Sequence, residues 1–107
     1  EQAKTLARAV GRSMKESVVK GTALWKGGKR AECCAAYKAA ARDALAKLPA
    51  GVDAAWVVNG DDLLAKARPL LEAALRDSES QTAARGAVAL RKAFDKVMEH
   101  LAVVIRA

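Results

Sequence analysis

The side chains able to do chemistry in this chain are few and poorly partnered. His100 is the single histidine, Cys33 and Cys34 are the two cysteines, and Asp61-Asp62 are adjacent carboxylates. Nucleophilic catalysis needs a nucleophile beside a base that a third group orients, and one histidine gives no Ser/His/Asp or Cys/His arrangement. His100 stands one position before the apolar Leu101, at the edge of a helical face. It reads as a boundary residue, with a pigment or metal ligand or a partner contact as the alternative role. Neighbours on a helix point about 100° apart, so Cys33 and Cys34 are badly placed to bond each other. They belong to no Cys-x-x-Cys or Cys/His zinc spacing and read as small buried residues. Asp61-Asp62 precede an apolar run, where a helix N-terminus favours negative charge, so they read as caps rather than an acid–base pair. Gly27-Gly28-Lys29 lacks the G-x-x-x-x-G-K-[ST] frame and a preceding strand, so it reads as a helix turn rather than a phosphate loop. The sequence therefore predicts no catalytic residue, no metal ligand and no cofactor site, and a chain that is not an enzyme.

What the sequence does offer is cations. Residues 1–50 carry eleven Lys and Arg against four acids, whereas residues 51–107 carry eight of each, so the whole net charge of +7 lies in the first half. Lys4, Arg8, Arg12 and Lys15 recur at helical spacing as a basic stripe, with Lys26, Lys29 and Arg30 following at a turn. Such a surface steers toward an acidic protein face, a nucleic acid or anionic headgroups. Successive phosphates could be met by the same residues. However, no aromatic residue interleaves the stripe and no groove-reading motif is present, which makes nucleic acid the lesser partner. Insertion of the first helix into a membrane surface has only a thin Ala and Val face behind it, leaving peripheral proximity as the expectation.

The elements that must position these residues are helical. Of 107 residues 52% are apolar, but 26 are alanine and only Trp25, Tyr37, Trp56 and Phe94 are aromatic. This composition excludes a disordered, collagenous or disulfide-rich chain, and no apolar run approaches the roughly 18–20 residues of a bilayer crossing. The chain opens on Glu1 rather than Met, and no leader segment is legible in it. A first helix over about residues 2–26 places Leu6, Val10, Met14 and Val18 on one face, continued by Trp25, with the basic stripe on the opposite side. Gly11 and Gly21 are costly inside it unless another helix approaches closely. Gly27-Gly28 ends it. A second helix from about Lys29 to Leu48 carries Cys34, Tyr37, Ala41, Leu45 and Leu48 as its stripe, and Pro49-Ala50-Gly51 breaks it.

Asp53 then caps a short helix through Trp56 and Val58, closed by Asn59-Gly60. Trp-Val-Val would also suit a strand, but no partner strand is visible, so helix is preferred. A third helix follows Asp61-Asp62 with Leu63, Leu64, Ala67, Leu70, Leu71, Ala74 and Leu75. Pro69 either kinks it or divides it in two. Ser78–Gln81 is a turn and capping box. Ala87, Leu90, Phe94, Val97, Leu101 and Val104 then mark the last helix, widened by Met98 and Ile105. The expected fold is all-α: one domain over 1–107, a compact antiparallel bundle of four main helices with a short extra helix near 53–59. Leu24, Trp25, Cys34, Tyr37, Leu45, Leu71, Phe94, Val97 and Leu101 form its expected core.

One segment carries more than periodicity. Gly21-Thr22-Ala23-Leu24-Trp25-Lys26-Gly27-Gly28, followed by Cys33 and Tyr37, has the form G-x-x-L-aromatic-x-x-G with a later Cys and Tyr. The spacing from Gly28 through Tyr37 and Ala40 resembles the middle of a tetratricopeptide repeat, but no period of about 34 residues recurs, so an array is not expected. Together with Gly86–Asp95, the segment is similar to a family of short, largely uncharacterised helical domains of bacteria and plastid-bearing algae. The two segments cover about a quarter of the chain. Ala23, Lys26 and Val88 depart from that family's usual proline, asparagine and tryptophan, and its motif brings no catalytic role. The small, basic four-helix architecture also resembles the PsbQ-type extrinsic subunits of oxygenic photosystems. The resemblances imply an accessory subunit, peripheral to the plastid thylakoid membrane, that docks on and stabilises a photosystem–antenna supercomplex. A small basic nucleic-acid-binding module is the alternative. In either case Lys4, Arg8, Arg12, Lys15, Lys26, Lys29 and Arg30 are the expected partner-binding residues.

Overall fold

A computed structural model of the chain describes residues 2–107. Four helices form the bundle: α1 Gln2–Lys26, α2 Arg30–Lys47, α3 Leu63–Glu79 and α4 Ala83–Arg106. Short connections make chain neighbours antiparallel, α1 with α2 and α3 with α4. The last helix is central and packs against the other three. Its sequence explains that place, since it buries a continuous row from Ala87 and Leu90 through Phe94 and Val97 to Leu101 and Val104. Burying each of the larger side chains in this row stabilises the fold by about 1.5–3 kcal/mol. Phe94 meets Tyr37 of α2 edge-to-face, with centroids 5.5 Å apart and rings at 79°. That is the geometry the aromatic quadrupoles favour.

The α1–α2 turn is fixed by backbone chemistry. Gly28 takes φ +79°. Its N–H bonds the Trp25 carbonyl at 3.0 Å while the Lys29 N–H bonds that of Leu24 at 2.9 Å. These paired bonds close the helix end with a left-handed residue, a position glycine fills without steric cost. At the far end of α2, the Arg68 guanidinium of α3 donates to the carbonyls of Leu45 and Leu48 at 3.0 and 3.1 Å. It satisfies acceptors that the end of the helix leaves unpaired.

The stretch after α2 departs from the expected short helix. Only Ala54–Trp56 is helical, as one 3₁₀ turn, with the Asp53 carboxylate accepting from the Ala55 N–H at 2.9 Å. Val57–Val58 (β1) and Asp61–Asp62 (β2) then pair as a miniature antiparallel hairpin, Val57 with Asp62 and Val58 with Asp61. The missing partner strand was the diaspartate itself, read as a helix cap alone. Asn59-Gly60 is the two-residue turn between them, both at positive φ (52° and 82°), as a tight hairpin requires. Asp62 does both jobs, ending β2 and accepting from the Ala65 N–H at 3.0 Å as the cap of α3. Trp56, buried to 1% exposure, anchors this connection in the core.

Helix α3 runs through Pro69 as one element, so of the two alternatives there the division into two pieces falls away. Two further expectations are corrected. Ser78 remains within α3, buried and donating to the Leu75 carbonyl at 2.7 Å, so it does not cap α4. Thr82 holds that place, accepting from the Arg85 N–H at 3.3 Å. Of the expected core, Cys34, Tyr37, Leu71, Phe94, Val97 and Leu101 are buried, but Leu24, Trp25 and Leu45 are only partly covered. Alanines take up the difference, because Ala7, Ala41, Ala67 and Ala87 let helices approach closely where larger side chains would hold them apart.

Candidate functional site

The long outer face of α1 carries the first group of candidate residues. Arg8, Arg12 and Lys15 are exposed and lie on one side of the helix. At about 100° per residue they stand about 110–170° round from the centre of the buried row Ala7, Val10, Met14 and Gly21, with Arg12 nearly opposite the core. With Gly11 they border a shallow groove whose other wall is Met98, Leu101, Ala102 and Ile105 of α4. The stripe therefore flanks the α1–α4 seam. Lys20 and the 69%-exposed Val19 extend the face, and Glu16 is the acid beside it. Lys4 is the exception among the expected residues. It is half-buried, and its Nζ donates to the Ala107 backbone carbonyl at 2.9 Å, so it braces α1 against the end of α4.

The second group stands at the α1–α2 turn. Lys26, Lys29 and Arg30 are all exposed, and the Arg30 guanidinium lies over the Trp25 indole, 4.7 Å from the ring centroid. Such a cation–π contact contributes about 0.5–1 kcal/mol at an exposed site and fixes the direction of a charge. The ion pairs among the described residues involve Arg42, Lys47, Lys66, Arg91 and Lys96. Arg8, Arg12, Lys15, Lys26, Lys29 and Arg30 share none of them. From Arg8 to Lys26 the α1 cations span about 27 Å at the helical rise of about 1.5 Å per residue, most of the 41 Å length of the molecule.

A cavity of about 380 Å³ opens beside this turn, between α1, α2 and the first half of α4. Trp25, Ala87 and Val88 supply apolar wall, and Lys26 and Lys92 supply cations. Tyr37, Cys33, Thr22 and Arg91 supply its polar groups. The Arg91 Nη1 donates to Thr22 Oγ1 at 3.4 Å, and its Nε to Asp95 Oδ1 at 3.4 Å. Thr22 Oγ1 in turn donates to the Val18 carbonyl at 2.7 Å. The Tyr37 hydroxyl completes the network, in hydrogen-bond contact with Arg91, Thr22 and Cys33. Gly21 makes this possible, because a Cβ there would overlap the Tyr37 ring. Glycine at this position admits the ring between α1 and α2 and aims its hydroxyl at Arg91.

Electrostatics of the cavity follow from partial burial. Burial pushes the Cys33 thiol up, against the lowering effect of the Tyr37 hydrogen bond. Burial likewise raises the Tyr37 phenol, with the neighbouring Cys33 adding to it. Burial alone would lower Arg91, but its hydrogen bonds to Tyr37 and Asp95 outweigh that, and the net direction is upward. At neutral pH the cavity thus presents a protonated thiol, a protonated phenol and a firmly charged guanidinium. Those are hydrogen-bond donors and a positive charge, the equipment for holding an anion. The thiol is held in its less nucleophilic form.

Among the described residues no three metal-ligating side chains come together. Cys33 and Cys34 are both buried and unbonded, as expected of small core residues, and Cys33 also borders the cavity. His100 is half-buried on α4. Of the expected partner-binding residues, the structure brings Lys26, Lys29 and Arg30 together, aligns Arg8, Arg12 and Lys15 along α1, and engages Lys4 elsewhere. Arg91, Lys92, Thr22 and Tyr37 were missed as site residues. The legible signal was Arg91, a cation at the edge of the α4 stripe one turn before Asp95, but its partners come from two other helices. No known family pattern matches this chain, and neither curated proteins nor solved structures yield a match. No described helix is long and apolar enough to cross a membrane.

Proposed function

We propose that this chain is a non-enzymatic docking subunit that binds an acidic surface of a larger assembly through the outer face of α1 and the α1–α2 turn. The observation that carries the reading is that Arg8, Arg12, Lys15, Lys26, Lys29 and Arg30, on α1 and its turn, are all exposed and enter no ion pair among the described residues. Charges left unneutralised along one side of a small domain accelerate encounter with an acidic partner and set its orientation. The narrower form is an accessory subunit peripheral to the thylakoid membrane that stabilises a plastid photosystem–antenna supercomplex. Its support is the resemblance carried by Gly21–Tyr37 and Gly86–Asp95, together with the small basic four-helix architecture. Native isolation from the source at low salt, with identification of co-migrating polypeptides and a pigment spectrum, tests it. Photosystem or antenna polypeptides are the expected companions, and migration without them overturns the narrower form.

A second reading, a small nucleic-acid-binding module, is favoured by one observation. Trp25 stands among Lys26, Lys29 and Arg30, putting an aromatic ring inside the basic cluster where the sequence showed none along the stripe. Stacking on such a ring contributes about 1–3 kcal/mol per base. A mixed-sequence single-stranded oligonucleotide should then bind the chain and be weakened by Trp25→Ala. Binding that depends on salt but not on Trp25 speaks for plain charge attraction.

A further inference from the structure

We propose that the cavity between α1, α2 and α4 is a binding site for a small amphipathic monocarboxylate, an acid group on a medium-chain alkyl or aryl body. The cavity shares Lys26 with the proposed docking surface, but the proposal does not rest on the docking reading, because it is argued from the concave face around Arg91. Its volume, about 380 Å³, lies in the range of small-ligand sites, which are mostly apolar with a few convergent polar groups. This cavity has that division. Trp25, Ala87 and Val88 offer contact for an apolar body, whereas Arg91, Thr22 and Tyr37 form one polar wall.

Charge decides the sign of the ligand. None of the residues lining the cavity is a carboxylate, and three are cations: Lys26, Arg91 and Lys92. Asp95 meets Arg91 at its Nε side, and neither Lys26 nor Lys92 has an ion pair among the described residues. A guanidinium has five N–H donors. Thr22, Asp95 and Tyr37 are the three partners of Arg91, so at least two donors remain for an incoming oxyanion. A carboxylate matches that planar donor set and brings one charge into a pocket that is otherwise apolar. A cationic or neutral amphiphile of the same length gains the wall contacts but leaves the guanidinium unanswered.

The test is a titration of the intact chain with sodium octanoate, followed by the indole N–H resonances of its two tryptophans and assigned with Trp25→Phe. Trp25 lines the cavity and Trp56 is buried in the core elsewhere, so the second resonance is an internal control. Saturable movement of the Trp25 signal with a still Trp56 signal is expected, and octylamine should bind at least about tenfold more weakly. Arg91→Met should weaken octanoate by about tenfold or more, the worth of a charge-assisted hydrogen bond. Val88→Tyr, at an exposed position on the rim, should obstruct the cavity without touching the Tyr37–Arg91 network, and its far-UV circular dichroism should match the parent. Failure of octanoate to move Trp25 saturably overturns the proposal. So does equal binding of octylamine, or undiminished octanoate binding by Arg91→Met.

Discussion

At the scale of single residues, Gly21 and Gly11 separate two uses of glycine on one helix. Gly21→Ala should destabilise the fold by about 1–3 kcal/mol, because the new methyl overlaps the Tyr37 ring and the overpacking outweighs the gain in helix propensity. Gly11→Ala should do the reverse, gaining up to about 1 kcal/mol, since its Cβ meets only Leu101 Cδ1 at an ordinary 3.7 Å. Thermal melts of the two variants check the pair, and equal shifts would contradict the packing of Tyr37 against α1. Titration adds a second residue-scale prediction. Cys33 and Tyr37 hold their protons longer folded than unfolded. Their contribution to stability is therefore complete below the unfolded values of about 8.5 and about 10. It is lost as pH rises through the folded values, because the unfolded chain then releases protons that the folded chain keeps. The melting temperature should fall as pH rises through this range, and Tyr37→Phe should flatten the tyrosine part of that fall. Cysteine burial was legible in the sequence. The role of Tyr37 was not, because two of its three hydroxyl partners, Thr22 and Arg91, lie fifteen residues before it and fifty-four after it.

At the scale of elements, periodicity located all four helices to within a residue or so at most ends, since each alternates larger apolar residues with polar ones at helical spacing. It fared less well where alanine blurs the pattern. In α2 alanines occur on every face, so only Cys33, Cys34 and Tyr37 mark its buried side clearly. The 53–62 connection was misread for a different reason. A two-residue strand has no period to detect, and Asp61-Asp62 has a composition typical of caps rather than strands. The hairpin and its Trp56 anchor give a prediction at this scale. Trp56→Ala should cost about 3–5 kcal/mol, as expected for a fully buried aromatic. Asp62→Ala should cost about 1 kcal/mol through the lost α3 cap. Urea denaturation compares them, and a Trp56→Ala loss no larger than that of Asp62→Ala would show that the connection is not anchored through its indole.

At the scale of the whole molecule, the charge asymmetry visible in the sequence becomes a surface. Most cations of residues 1–50 fall along α1 and its turn, while several acids of the second half pair with neighbouring cations, as in Arg91 with Asp95 and Lys66 with Asp61. That division was legible residue by residue. The cavity at the same end was not, because it exists only once α4 packs against α1 and α2. The docking account rests most directly on one comparison. The intact chain and its Arg8→Glu/Arg12→Glu/Lys15→Glu variant are isolated natively in parallel at low and raised salt, with nuclease treatment as a control. The account predicts that the parent co-migrates with a larger protein assembly at low salt and is released as screening increases. The variant should migrate alone with unchanged helicity. Retention of the triple variant in the assembly, or migration of the parent by itself at low salt, would contradict docking through the α1 face.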